Sequence, residues 1–144
     1  MILISLALVV FLAVSALLAR FLSVENVERD DDLALIEAEA RADASGMLKR
    51  LRGCRRSASC VAAVTREVGD PRVRRAGAVK ILSLKSATAY SLTGASGKTR
   101  VAWTVIGRLP VVQCIEVRRS GNFLAGITVT LLSLSAPIAN EADC

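Results

Sequence analysis

The side chains that could do chemistry in this chain are few, and their spacing decides most of the cases. Histidine is absent from all 144 residues, which removes Ser-His-Asp and Cys-His nucleophile systems, imidazole acid-base catalysis and histidine-containing zinc sites together. A hydrolase can still activate serine with a desolvated lysine. The candidate pairs are Ser83 with Lys80 or Lys85, and Ser96 with Lys98. On an alternating strand Lys80 and Ser83 face opposite sides, Lys85 shares the face of Ser83 but is solvated by default, and Ser96 falls in a glycine-rich turn. The segment Gly94-Ala95-Ser96-Gly97-Lys98-Thr99 ends like a phosphate-binding loop. The full pattern requires a glycine five residues before Gly97, where this chain has Leu92, and a helix after the lysine, where alternation predicts a strand. Glu37, Glu39 and Asp43 stand among basic neighbours and are expected on a solvated helix face.

Four cysteines, Cys54, Cys60, Cys114 and Cys144, form an even set in a small chain. Cys54 and Cys60 lack the two-residue separation of dithiol redox motifs, and neither half of the set has the separation of roughly two to four residues usual in zinc sites. A disulfide framework fits better, and of the three connectivities the expected one pairs Cys54 with Cys60 and Cys114 with Cys144. No metal or cofactor is implied.

The elements that would carry these groups begin with Ile2 to Leu22, ILISLALVVFLAVSALLARFL, whose one ionised side chain is Arg20. About 20 such residues cross a hydrocarbon core of roughly 30 Å, with Arg20 reaching the headgroups at the exit. The expected organisation is a transmembrane signal anchor over 1–22, a polar linker over 23–32 and a single domain over 33–144. A cleaved signal peptide would need a basic start and a shorter apolar run, and a soluble helix would show a polar stripe. Sidedness has conflicting signals. Arg20 and Arg29 after the anchor favour a cytoplasmic domain under the charge rule, whereas paired cysteines require an oxidising compartment. Long domains translocate largely regardless of charge, so the expectation is a single-pass cell-membrane protein with its domain extracytoplasmic.

The net charge of +6 is concentrated in Lys49, Arg50, Arg52, Arg55, Arg56, Arg72, Arg74 and Arg75. Aromatic residues make up only 3%, too few for the interleaved stacking of a nucleic-acid surface, so no nucleic-acid partner is expected. A basic face near anionic headgroups of the bilayer fits the charge better, and a protein partner is the other expectation.

Along the domain, Asp30 to Asp32 would open a helix, and Leu33, Ile36, Ala40, Ala44, Met47, Leu48 and Leu51 recur at helical spacing, with Gly46 a weak point and Gly53 a stop. A second helix follows, capped by Ser57 or Ser59 and ended by Gly69-Asp70-Pro71. From Val79 the period changes to two. Strands are predicted over 79–92 with a bulge or break, over 99–106, over 111–118 and over 123–135, with turns at Gly94–Gly97, Gly107–Pro110 and Arg119–Asn122. Short connections force antiparallel neighbours, so the fold class is α+β: two helices packed on a four-stranded antiparallel meander behind a transmembrane helix.

The run from Ala38 to Leu48, AEARADASGML, followed by strands, resembles the opening of nuclear transport factor-like (cystatin-like cone) domains, including small membrane-anchored bacterial envelope versions. That family includes enzymes with Asp and His inside the cone. With no histidine and no inward acid expected beyond Glu116, the resemblance implies a non-catalytic binding or scaffolding module. The plan of apolar helix, amphipathic continuation, four-stranded sheet and terminal disulfide loop is also similar to type IV pilin-like subunits, which implies assembly into an envelope filament or secretion system. Here the chain departs from the pattern, having neither the Gly-before-Phe leader site nor an early glutamate in the apolar run.

Overall fold

The computed structural model describes residues 2–86, 94–122, 126–139 and 144, and within these the side chains of 2–3, 20–25, 122 and 126–127 are left aside. Helix α1 runs unbroken over Ile2–Ala40, so the apolar stretch, the expected linker and the first part of the domain are one rod. Asp30 to Asp32 do not open a helix. Nothing between Leu22 and Leu33 is a breaker, and the residues Val24 to Val27 continue the backbone bonding that the apolar stretch has already begun.

The helix expected over 33–51 is instead two. After Ala40 the chain turns through Ala42, at φ 56°, and Asp43 caps α2 (Ala44–Arg50) by accepting the Gly46 amide at 2.9 Å. Gly46 is the residue that permits this. A Cβ there would stand 2.2 Å from the Asp43 Oδ2. A 3-10 turn at Cys54–Arg56 leads to α3 (Ala58–Gly69), whose start is capped by Ser57, accepting the Cys60 amide at 3.4 Å.

Strands β1 (Val79–Ser86), β2 (Gly94–Val105), β3 (Val111–Asn122) and β4 (Gly126–Leu134) form the expected antiparallel meander in the order β1-β2-β3-β4. The predicted bulge lies between Ile81 and Ser83. The part of the first strand expected over 87–92, with Tyr90, and the start of the fourth at Phe123 lie outside the described residues. Two expected turns are strand. Gly94–Gly97 pairs with Val117–Ser120, so closely that a Cβ on Gly94 would meet the Arg119 carbonyl oxygen at 2.7 Å, and Arg119–Asn122 continues β3 alongside β4.

Helix α1 crosses one face of the sheet and touches both edge strands, β1 and β4. Leu35 and Ile36 pack there with Val101, Trp103, Ile115, Val117 and Leu131, all buried. Beyond the sheet, the described apolar side chains from Ile4 to Ala19 are exposed all round. Among the described residues no helix is long and apolar enough to cross a membrane, which leaves the span expected over 2–22 without support from the fold.

Candidate functional site

The stripe of α1 that meets the sheet carries Glu28, Asp32, Leu35, Ile36 and Glu39, at spacings of three and four, and all five are fully buried. Three of them are acids. Each lies opposite polar groups that the strands deliver from far along the chain.

At the end nearer the apolar rod, Arg119 of β3 forms a buried ion pair with Glu28, its Nε donating at 2.6 Å to Oε2. The Thr99 hydroxyl donates at 2.8 Å to the other Glu28 oxygen, and Arg119 also donates to the Ser86 hydroxyl at 3.1 Å. Asp32 sits one turn further on. Neither of its carboxylate oxygens has a hydrogen-bond partner among the described residues, and burial, then the charges of Glu28 and Asp31, push its pKa up to about 8 against the opposing pull of Arg119. It is therefore a neutral acid at pH 7.

At the other end Gln113 of β3 organises the core. Its side-chain carbonyl accepts from the Trp103 indole at 2.7 Å, and its amide donates to Glu39 at 2.8 Å and to the Ser135 carbonyl at 3.0 Å. The Arg75 guanidinium lies 5.5 Å over the Trp103 ring, and the Arg75 backbone amide donates to the Ala40 carbonyl at 2.9 Å. Burial pushes the Glu39 pKa to about 8, opposed by the Gln113 bond and assisted by the charges of Glu67 and Asp70. Glu39, expected on a solvated face, is thus a core residue, because the stripe facing the sheet is rotated from the one traced by Leu33 and Ala40. Glu116, the one acid expected inward, is exposed and accepts from Ser133 at 3.0 Å.

Neutral buried acids are the raw material of general-acid catalysis. Chemistry also needs access, and Asp32 and Glu39 line none of the described clefts. The largest of these, about 620 Å³, lies between α1, α2 and β4 and is lined by Asp31, Asp43, Lys49, Arg50 and Thr130 among others. A second, about 240 Å³, lies between α2, α3 and β4 and is lined by Met47, Leu51, Cys60, Val64, Glu67 and Leu134 among others. Glu28 and Glu39, through Arg119, Thr99 and Gln113, hold α1 in register on the sheet.

Among the sequence-predicted groups, the cysteines pair as expected, Cys54 with Cys60 at a Cα separation of 5.2 Å and Cys114 with Cys144 at 5.7 Å. The Arg20 side chain lies outside the described residues. The basic run divides in two. Lys49, Arg50, Arg52, Arg55 and Arg56 are exposed on α2 and the turn after it, whereas Arg72, Arg74 and Arg75 lie in the turn after α3, with Arg72 paired to Asp70 at 2.6 Å and the Arg75 amide bonded to the last residue of α1. Lys80, Ser83, Lys85, Ser96 and Lys98 are exposed or half-buried strand residues, and among the described residues no serine-lysine hydrogen bond is present. The loop-like segment Gly94–Thr99 is strand, with Thr99 turned inward to Glu28.

Glu28, Asp32, Arg119 and Gln113 were not singled out from the sequence. The available signal was that Glu28, Asp32 and Glu39 share a helical stripe with Leu35 and Ile36. Comparison with protein-family models, curated proteins and solved structures yields no match to this chain.

Proposed function

We propose that this protein is a non-catalytic, membrane-anchored scaffolding subunit of a cell envelope. The first half of α1 acts as the span, with Arg20 at the headgroups, and the disulfide-stapled domain stands on the oxidising side. The observation that carries this reading is the single helix of 39 residues. Its first half exposes Ile4, Leu6, Val9, Phe11, Leu12 and Leu18, and its second half is locked to a sheet by buried polar pairs. Such a rod transmits position from an apolar phase to a folded domain without a flexible joint. Burying apolar side chains in lipid or against other copies is worth roughly 1.5–3 kcal/mol for each large one.

The pilin-like reading is favoured over a generic anchored domain by the same continuity, because an unbroken rod fixes the angle between its apolar half and the sheet as a filament subunit requires. The absence of a glutamate in the apolar run stands against it. A serine-lysine hydrolase has no geometric support beyond the composition that suggested it. Of the basic residues, Lys49 and Arg50 stand nearer the apolar half, in a cleft with Asp31 roughly 14 Å beyond Leu22, a distance that also weakens any attraction to anionic headgroups. Arg75, bonded to Ala40, stands roughly 27 Å beyond Leu22 along the helix, well past a Debye length of about 8 Å.

The test is membrane fractionation combined with thiol labelling of intact and lysed cells. The expected result is a protein that stays with membranes through high-salt and alkaline washes, has no thiol until reduced, and after reduction is labelled from outside by an impermeant reagent. Recovery in the soluble fraction with four reactive thiols refutes the reading.

A further inference from the structure

The two most exposed large apolar side chains anywhere in the described structure are Ile106, 91% exposed, and Leu109, 82% exposed. Both stand on the turn between β2 and β3, on either side of Arg108, whose side chain is also exposed. The turn is held in shape from below. Gly107 takes a φ of 79°, the Arg108 amide donates to the Val105 carbonyl at 3.0 Å, the Thr104 hydroxyl donates to the Arg108 carbonyl at 2.8 Å, and Arg75 donates to the Leu109 carbonyl. A turn so fixed presents two apolar side chains and a cation as a preformed knob, which costs little entropy to dock.

Elsewhere on the molecule is a crevice of matching chemistry. The cleft of about 240 Å³ between α3 and β4 is walled by Met47, Leu51, Cys60, Ala63, Val64 and Leu134. It is larger than the roughly 150 Å³ that accepts a benzene ring. Glu67 is among the residues lining it, only 8% exposed, with one carboxylate oxygen buried without a hydrogen-bond partner among the described residues. An apolar crevice lined in part by an acid is matched by a cation flanked by apolar groups.

We infer that the turn Ile106–Leu109 of one copy docks in the crevice between α3 and β4 of a second copy, Ile106 and Leu109 against its apolar walls and Arg108 donating to Glu67. This deepens the subunit reading above and rests on it. Knob and crevice are different surfaces, so the contact is head-to-tail, and repeated it builds a ring or an open row according to the rotation per step. The knob lies beyond Val105 at the end of the sheet farthest from Glu28, so docking offsets neighbouring copies along α1. Each contact is small, and anchoring multiplies it by raising the effective concentration of copies.

The test uses the full chain in liposomes, with amine-reactive cross-linking read as a ladder of oligomers. Wild type is expected to give a ladder. Arg108→Glu, Leu109→Asp and Glu67→Lys are each expected to lose it, and the double variant Arg108→Glu with Glu67→Lys to regain it. An equimolar mixture of the two single charge variants is expected to regain the ladder with the variants alternating, since each knob then meets an oppositely charged crevice on the other variant. Arg108 and Leu109 are exposed turn residues, so their substitution leaves the fold intact even where Glu67→Lys does not. A ladder that persists in Arg108→Glu and Leu109→Asp overturns the docking while leaving an assembling subunit in place. No ladder from wild type overturns both.

Discussion

Replacing Arg119 by methionine tests whether the acids of α1 are what hold the helix to the sheet. Arg119→Met removes the guanidinium from a Glu28 carboxylate that is fully buried, leaving Thr99 as its remaining described partner. A buried charge stripped of its counter-ion costs about 3–5 kcal/mol, a large share of the roughly 5–15 kcal/mol that stabilises an ordinary domain. At about 4 °C per kcal/mol, a value for domains near this size, the midpoint should fall by about 12–20 °C. Trp103, the sole tryptophan and fully buried beside Gln113, supplies the readout, as its fluorescence follows thermal unfolding of the full chain in detergent micelles. The double variant Glu28→Leu with Arg119→Met removes both charges. It should regain all but about 1 kcal/mol, the part owed to the abandoned Thr99 hydroxyl. A loss under about 1 kcal/mol in the single variant, or a double variant as unstable as the two singles summed, would refute the reasoning.

Asp32 and Glu39 predict a pH dependence opposite to that of ordinary salt-bridged carboxylates. Unfolded, they lose their protons near 3.8 and 4.5, and folded they keep them to about 8. Unfolding therefore releases protons between those values. The contribution of these two groups is full below about pH 4, declines by up to about 1.4 kcal/mol per pH unit per group as pH rises, and levels off above about 8. Denaturant midpoints from pH 4 to 9 measure this, and Asp32→Asn should flatten the slope and raise stability at pH 8. Gly46→Ala should cost about 1–2 kcal/mol by displacing the Asp43 cap, and much less once Asp43→Ala has already removed it, a coupling read from a double-mutant cycle by chemical unfolding. Replacing both Cys114 and Cys144 by serine opens a loop spanning a sequence separation of 30 and should cost about 3.5 kcal/mol. The Cys54 and Cys60 pair, with a separation of 6, should cost about 2, both measured by urea midpoint.

Features written in neighbouring residues were legible without coordinates. The change from helical period to alternation at Val79 marks the strands, four strands with short connections allow little but a meander, and four cysteines with one at the chain end point to the observed pairing. Local pattern also misled where it met a second chain segment. Glycine in Gly94–Gly97 and Gly121 reads as a turn, yet these residues are strand, and at Gly94 the missing side chain serves the close approach of β2 to β3.

What the sequence determined by itself is the list of elements and the chemistry it lacks: an apolar rod, helices, four strands, two disulfides and no imidazole. What only the tertiary structure decided is that the rod enters the domain without a break and that its inward stripe is acidic. Whether a glutamate faces solvent or core depends on what stands opposite it. For Glu28 that is Arg119, 91 residues away, and for Glu39 it is Gln113, 74 residues away. The cost of burying a carboxylate is offset by a specific partner, and no periodicity within the helix can report where that partner will be.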